Sequence, residues 1–276
     1  MDANTCLTCG NKFAGKFCNQ CGEKVIDQND RRFLHFISEL INALTFADSK
    51  LWRSIATILK HPGKMSHDYV IGRRTRYMKP VSLFFLANLI YFFSPIFNTF
   101  HTPLQVQTGL SSSLHRSLAK RMVDKEVSQN WESYESYEEQ YNLKTTELSK
   151  MLLIVFAVFL TILFLPIHLG TEKRLLADHL TLSLEMMTYV LVFCIQGVGI
   201  LFLILGTIGL DFLRTEAYVS LAALVLLIYF VFASEWNFYG LKGWRRWMNT
   251  VLVLIAVMAV LTLYRILLFF VTFWMV

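Results

Sequence analysis

The sequence predicts an all-α membrane protein of about five transmembrane helices, preceded by a small zinc ribbon. Two observations lead to this prediction. The 276 residues are 55% hydrophobic and have a mean hydropathy of +0.46, which is too apolar for an ordinary water-soluble domain of this size. Four of the five cysteines fall within the first 21 residues, a pattern typical of a metal site and not of a disulfide framework.

The most specific motif is a pair of Cys-x-x-Cys-Gly units near the start of the chain. Cys6 and Cys9 form the first unit, and Cys18 and Cys21 form the second. Four thiolates suit tetrahedral Zn²⁺ and leave no coordination position for a substrate water, so we expect a structural zinc ribbon over residues 1–26. A redox dithiol and an iron site are the alternatives, but a redox pair belongs at a helix start in a βαβ unit, which the sequence does not indicate.

Residues 27–79 are predicted to form short cytoplasmic helices and a basic element. Apolar residues recur at helical spacing from Phe33 to Leu44 and again from Leu51 to Leu59. Both segments are too short and too polar to cross a bilayer. We therefore expect them to lie on the membrane surface or to pack under the membrane helices.

Five later stretches are apolar enough to cross a membrane. A helix needs about 20 mostly apolar residues for this, because its backbone must satisfy its own hydrogen bonds in the hydrocarbon core. The predicted spans are residues 80–97, 150–168, 184–210, 218–233 and 248–273. Together they make a bundle over residues 80–276.

Basic residues beside the first predicted span give the orientation. No Lys or Arg occurs in residues 98–112 on the other side of that span. The excess of positive charge on cytoplasmic loops therefore predicts a cytoplasmic N-terminus and an extracytoplasmic C-terminus. The same basic side chains are candidates for contact with anionic lipid. They are Arg73, Arg74, Arg76 and Lys79.

Residues 98–149 form the sizeable extracytoplasmic loop of this topology. Trp131, Tyr134, Tyr137 and Tyr141 recur at helical spacing and predict an aromatic helix face. That face could dock on the outer headgroups, or it could meet an external partner or solute.

Polar residues on the third predicted membrane helix form a candidate intramembrane site, because ionisable groups are costly in hydrocarbon. At 100° per residue, four of them fall within about 20° of one direction, and His179 lies beside them. One interpretation is a path for a proton, cation or polar solute. The other is that the charges lie at the cytoplasmic interface and the amide joins helices. The four residues are Asp178, Glu185, Tyr189 and Gln196.

A further candidate is Arg265, which lies well inside the last apolar run. Its expected partner is Asp211 or Glu216, in the loop between the third and fourth predicted spans. The alternative is that its long side chain reaches the headgroups unaided.

The basic element also carries a resemblance. The sequence resembles a family of uncharacterised bacterial membrane proteins that begin with the same paired cysteine ribbon and continue into several spans. The resemblance implies a bacterial inner-membrane location and a role for the four cysteines, and it implies no activity. The residues that carry it are Pro62-Gly63-Lys64, Asp68-Tyr69, Gly72-Arg73-Arg74, Arg76-Tyr77, Pro80 and His179-Leu180.

The function that best fits these features is a non-enzymatic interaction, scaffold or regulatory protein, in which the ribbon binds a cytoplasmic partner and the bundle anchors it in the lipid bilayer. The alternative is a small-solute or ion transporter that uses the polar residues of the third span. The sequence carries none of the common catalytic motifs, so an enzyme acting on lipid through His179 and Glu185 is a third possibility only. The net charge of +6 is explained by topology and does not indicate nucleic-acid binding.

Overall fold

The computed structural model describes residues 4–6, 9–15, 19–20, 49–93, 99–109, 116–172, 175–208 and 215–276. The chain divides into two compact units, Met1–Lys50 and Leu51–Val276. In the first unit, strands β1 (Asn4–Thr5) and β2 (Lys12–Phe13) pair antiparallel, with Asn4 opposite Phe13. The apolar stripe predicted from Phe33 to Leu44 lies outside the described residues.

The described part of the second unit consists of helices joined by turns and loops. Helix α1 covers residues 51–60 of this unit. The helices that follow are α2 (Lys64–Val70), α3 (Pro80–Phe93), α4 (Leu104–Thr108), α5 (Arg116–Asn130), α6 (Tyr134–Met151), α7 (Leu153–Ile167), α8 (Leu176–Tyr189), α9 (Val198–Thr207), α10 (Glu216–Asn237) and α11 (Gly243–Met275).

Three segments are long and apolar enough to cross a membrane: Leu176–Thr207, Ala217–Asn237 and Gly243–Met275. A fourth crossing would require α6 and α7 to act as one span, although they meet at a bend of 55°. Helix α3 is apolar but has only 14 residues. The chain is therefore compatible with a membrane protein of three or four spans among the described residues, and the count of five stays a prediction.

The segment Leu176–Thr207 contains an internal change of helix type. Residues Val190–Gly197, between α8 and α9, form a π-helix, in which each N–H bonds to the carbonyl five residues earlier. This turn is wider than an α-helical turn, so the side chains advance by a smaller angle per residue. The faces of α8 and α9 are consequently not in simple α-helical register.

The core of the second unit is formed where α7 packs against α8 and α11, α10 packs against α11, and α3 packs against α8. Helix α11 has 33 residues, which corresponds to a length of about 50 Å. This exceeds the thickness of about 30 Å of a bilayer's hydrocarbon core. A helix of this length does not fit within the hydrocarbon core unless it is strongly tilted, and its last turns include Phe269, which packs against α6.

Those last turns pack into a smaller cluster, which we call the cap: helices α4, α5 and α6 with the end of α11. Tyr137 and Tyr141 on α6 are fully buried, and Tyr141 lies 6.1 Å from Phe269 of α11, centroid to centroid. Part of the aromatic face that the sequence predicted to meet headgroups or a partner is thus covered by the chain's own last helix.

Candidate functional site

A buried carboxylate on α8 holds the turn between α1 and α2. Glu185 is fully buried and accepts hydrogen bonds from the backbone N–H of Gly63 at 2.8 Å and of Ser66 at 2.7 Å. The hydroxyl of Ser66 also donates to this carboxylate. The first N–H groups of a helix have no partner within the helix, and a negative charge there is favourable. Glu185 therefore serves as an anchor for the start of α2.

The same turn lies closely against α10 on its other side. Gly63 has φ of +82°, and a Cβ at this position would lie 2.9 Å from the Cα of Ser234. Only glycine combines that backbone conformation with so close an approach. The Asn237 side chain adds a hydrogen bond of 2.8 Å to the carbonyl of Pro62. The turn is thus held between α8 and α10.

A second buried carboxylate binds side chains from the loop that follows α2. Asp68 is 3% exposed and accepts hydrogen bonds from the Tyr77 hydroxyl at 3.1 Å and from Arg73 Nη1 at 3.4 Å. Burial raises the pKa of Tyr77, and the hydrogen bond to Asp68 and its charge raise that pKa further. These contacts tie the loop after α2 back to that helix. We call residues 61–79 the platform.

The platform presents a basic surface. The four predicted lipid-contact residues are all exposed, whereas Asp68, the single acidic residue of the platform, is buried. Arg74 packs over the ring of Tyr69 at 5.1 Å, and Arg76 packs over the ring of Tyr77 at 5.6 Å. Contact of Arg73, Arg74, Arg76 and Lys79 with anionic lipid stays a prediction.

A second buried polar cluster joins the ends of α7, α8 and α10. His168 Nε2 lies 3.1 Å from a carboxylate oxygen of Glu235, and both residues are 1% exposed. The ring of Tyr239 stacks on His168 at 3.5 Å, and its hydroxyl lies 2.8 Å from Nδ1 of His179. Burial raises the pKa of Tyr239 well above its usual value, and the charges of Glu235 and Asp178 act in the same direction.

Both ring nitrogens of His168 have a polar partner within the protein. Nδ1 faces the carbonyl oxygen of Phe164 at 2.9 Å, and Nε2 faces Glu235. The imidazole is therefore held by hydrogen-bonding partners on both sides, as a fully buried polar side chain requires.

The remaining residues of the predicted polar path lie in different surroundings. Asp178 is partly exposed, near the start of α8. Tyr189 is fully buried and packs against Phe230 with ring centroids 4.8 Å apart. Gln196 is partly exposed and belongs to the π-helical segment. Because that segment is π-helical, α-helical spacing does not place Gln196 on the face that Glu185 and Tyr189 share on α8.

Arg265 lies on α11 and is partly buried. Its Nε is buried and has no hydrogen-bond partner among the described residues. Its pairing with Asp211 or Glu216 stays a prediction, since Asp211 and the side chain of Glu216 lie outside the part of the chain that the structure describes.

An apolar cavity of about 300 Å³ lies between the third predicted span, α7, α10 and α11. Its wall includes Phe100, Phe156, Met187, Cys194 and Leu261, and neither Glu185, Tyr189 nor Gln196 contributes to it. A continuous polar cavity from Glu185 toward Gln196 would favour the polar path that the sequence offered as one interpretation. The walls of this cavity are apolar.

The first cysteine unit forms the turn between β1 and β2. The N–H of Gly10 donates to the carbonyl of Cys6 at 2.9 Å, and Gly10 has φ of +72°, as a tight turn after Cys9 requires. Cys18 and Cys21 lie outside the described residues. No group of three or more possible metal ligands occurs within the described ranges, which contain only half of the predicted set.

The sequence did not single out His168, Glu235, Tyr239, Ser66 or Asn237 for these contacts. His168 and Glu235 stand at or just beyond the ends of predicted spans, where polar residues are common. One signal was available: the predicted topology places the ends of the second and fourth spans, where these two residues lie, on the same side of the membrane. Sequence separation of 67 residues between the two gave no indication that they pair.

The comparisons with known proteins agree with an uncharacterised family. The sequence model of a family described as protein of unknown function (DUF3667) matches residues 48–92. This match covers α1, the platform and most of α3. No curated protein and no solved structure matches the chain.

Proposed function

We propose that this chain is a non-enzymatic membrane interaction protein, in which the helical bundle anchors the platform and the predicted zinc ribbon binds a cytoplasmic partner. The observation that carries the proposal is the bonding of Glu185. Its carboxylate has three donors from Gly63 and Ser66 and no exposure. This buried carboxylate on a predicted membrane helix is thereby used to hold the platform in place.

The second buried pair supports the same interpretation. His168 and Glu235 satisfy each other and join α7 to α10. Buried polar groups that are fully paired act as fixed joints between elements, since separating them would leave a charge without a partner. Glu185 and Glu235, like Asp68, are thus buried acidic residues with hydrogen-bonding partners that hold the fold together.

The platform is suited to holding the protein's basic surface at anionic headgroups. Each Lys or Arg near such a surface contributes about 1 kcal/mol. Replacing Arg73, Arg74, Arg76 and Lys79 with glutamine should reduce co-purified anionic lipid. The matched control replaces four cap residues, Lys120, Arg121, Lys125 and Lys144. Equal lipid retention by the two variants would refute the lipid contact.

The recruiting role of the ribbon is tested by comparing partner sets. Proteins crosslinked to the full chain in cells are quantified for the wild type, for the Cys6→Ser/Cys9→Ser variant and for a Cys194→Ser control, with membrane insertion verified for each. We expect a subset of partners to disappear only in the ribbon variant. Identical partner sets in all three would remove the basis of the proposal.

The transporter alternative rests on the π-helical segment, because π-bulges occur frequently at functional sites. It predicts flux through reconstituted liposomes that depends on Glu185 and Gln196. Flux that is lost in a Glu185→Ala/Gln196→Ala variant that retains its fold would favour transport over anchoring. Unchanged flux would exclude this path.

A further inference from the structure

We propose that the apolar cavity and Arg265 together form a binding site for a single-chain or membrane lipid with an anionic headgroup, in which the acyl chain fills the cavity and the headgroup binds the guanidinium. The two parts of the site are independent observations. The cavity supplies the volume, and Arg265 supplies a buried donor without a described partner.

The position of the cavity favours a hydrocarbon occupant. It is bordered by all three segments that are long and apolar enough to span a membrane. Leu224 on α10 and Met258 on α11 line it and are 42% and 62% exposed, so its mouth opens on the surface that bilayer lipid would cover. The surroundings therefore offer acyl chains and no water.

The size and chemistry of the wall also fit a chain. An engineered apolar cavity of about 150 Å³ stays dry and binds benzene, and this cavity has about twice that volume. Its polar lining is confined to Thr99, Ser220 and the thiol of Cys194. An apolar chain loses no hydrogen bonds on entering such a space, whereas a polar solute would lose its hydration without replacement.

The spacing along α11 places a cation above the cavity. Val257 and Leu261 line the cavity, and Arg265 follows at the same interval of four residues, so it lies on the same face one turn nearer the cap. Trp247 is exposed near the other end of the helix, and tryptophan is a residue type that is enriched at the membrane interface. Arg265 is 18 residues farther, or about 27 Å, which is close to the hydrocarbon thickness of a bilayer.

The geometry therefore matches an amphiphile in one leaflet. By the same count, Val257 and Leu261 lie about 15 to 21 Å from Trp247, at the depth of acyl chains. Arg265 lies at the depth of headgroups near the cap. A guanidinium presents several donors to a phosphate or a carboxylate, which explains why a buried Nε without a protein partner is tolerated there.

The site can be tested by photolabelling the full chain in phosphatidylcholine nanodiscs. The probes carry a diazirine in the middle of the acyl chain and are phosphatidylglycerol, phosphatidylcholine or a free fatty acid. We expect the anionic probes to label residues 186–195 and 220–227, with about tenfold preference over phosphatidylcholine. The phosphatidylglycerol and fatty-acid arms distinguish a phosphate headgroup from a carboxylate.

Two pairs of variants locate the chain and the headgroup. Ala223→Trp fills the cavity and should abolish labelling, whereas Val225→Trp, an exposed position on the same helix, should not. Cys194→Phe is a second filler in case the tryptophan prevents folding, which melting temperature will show. Arg265→Gln should remove the preference for anionic probes, and Arg265→Lys should retain most of it.

Three results would overturn the proposal. They are equal labelling of folded cavity-filling and control variants, equal labelling of the wild type by phosphatidylglycerol, fatty-acid and phosphatidylcholine probes, and an undiminished anionic preference in Arg265→Gln. The last result would be expected if Arg265 pairs with Asp211 instead of with lipid.

Discussion

The backbone N–H of Gly63 lies 2.8 Å from a carboxylate oxygen of Glu185, although 122 residues separate them in the sequence. This contact joins the part of the chain that matches a protein family to the interior of α8. Glu185, which the sequence suggested as part of a transport path, therefore binds the turn that precedes α2. The predictions below follow from this bond and from the contacts around it.

Replacing Gly63 with alanine should be more destabilising than replacing Gly72. Both glycines have positive φ, at +82° and +100°, so each substitution carries similar backbone strain. Only at Gly63 would the added Cβ meet backbone, 2.9 Å from the Cα of Ser234. We expect Gly63→Ala to reduce the free energy of unfolding by about 1 to 3 kcal/mol more than Gly72→Ala does. Equal losses in chemical denaturation would contradict the close approach to α10.

His168 and Glu235 should show strong energetic coupling. Alanine at either position leaves the other group buried without a partner, at a cost of about 3 to 5 kcal/mol. The double variant should lose less than the sum, with a coupling energy of about 2 kcal/mol. The control cycle uses Lys144 and Glu147, an exposed pair at 3.8 Å, whose coupling should stay below about 0.5 kcal/mol. Similar coupling in both cycles would refute the buried pair.

The contribution of Tyr77 to stability should decline at high pH. Because its pKa is raised in the folded protein, the contribution is complete below the unfolded pKa of about 10 and is lost as the pH rises through the folded value. Tyr77→Phe should cost about 1 to 2 kcal/mol at pH 8 and less above pH 10. A loss that is constant with pH would show that Tyr77 does not bond Asp68 as described.

Zinc analysis of the purified full chain should give one equivalent per chain, because four thiolates complete a tetrahedral site. Cys6→Ser should lower zinc occupancy, since the remaining three thiolates bind less tightly. Cys194→Ser should leave it unchanged because this residue lies within the π-helical segment. Elemental analysis checks both variants. Absence of zinc from the wild type, or equal zinc in all three proteins, would exclude the predicted ribbon site.

The long apolar helices were the most predictable part of the fold. Residues 218–233 and 248–273 lie within α10 and α11, because uninterrupted apolar sequence permits little else in hydrocarbon. The third span was predicted to begin at residue 184, but the helix begins at Leu176. Its first turns contain Asp178 and His179. Helical spacing had already grouped Asp178 with Glu185 on this helix, although the apolar run starts only at Leu184. His179 is buried beside Tyr239, so tertiary contact and not hydropathy decides where that helix begins.

The candidate site was less predictable, since its contacts join distant segments. The spacing of Glu185 predicted a residue that faces the interior of the bundle, and its side chain is buried. The spacing could not show whether the carboxylate of Glu185 lines a polar cavity or binds the N–H groups at the start of α2, because either environment would stabilise its charge. The π-helical segment Val190–Gly197 was also hidden, since no residue type in it requires that backbone. Periodicity calculated for an α-helix therefore does not apply across the segment that contains Gln196.

The anchoring role of Glu185 is tested most directly by a double-mutant cycle with Ser66. Glu185→Ala, Ser66→Ala and the double variant are compared by denaturation of the full chain in detergent, with the exposed Glu147 replacing Glu185 in a control cycle. We predict a coupling energy of about 1 to 2 kcal/mol between Glu185 and Ser66, and none between Glu147 and Ser66. Additive effects of Glu185→Ala and Ser66→Ala would mean that the carboxylate does not hold the platform.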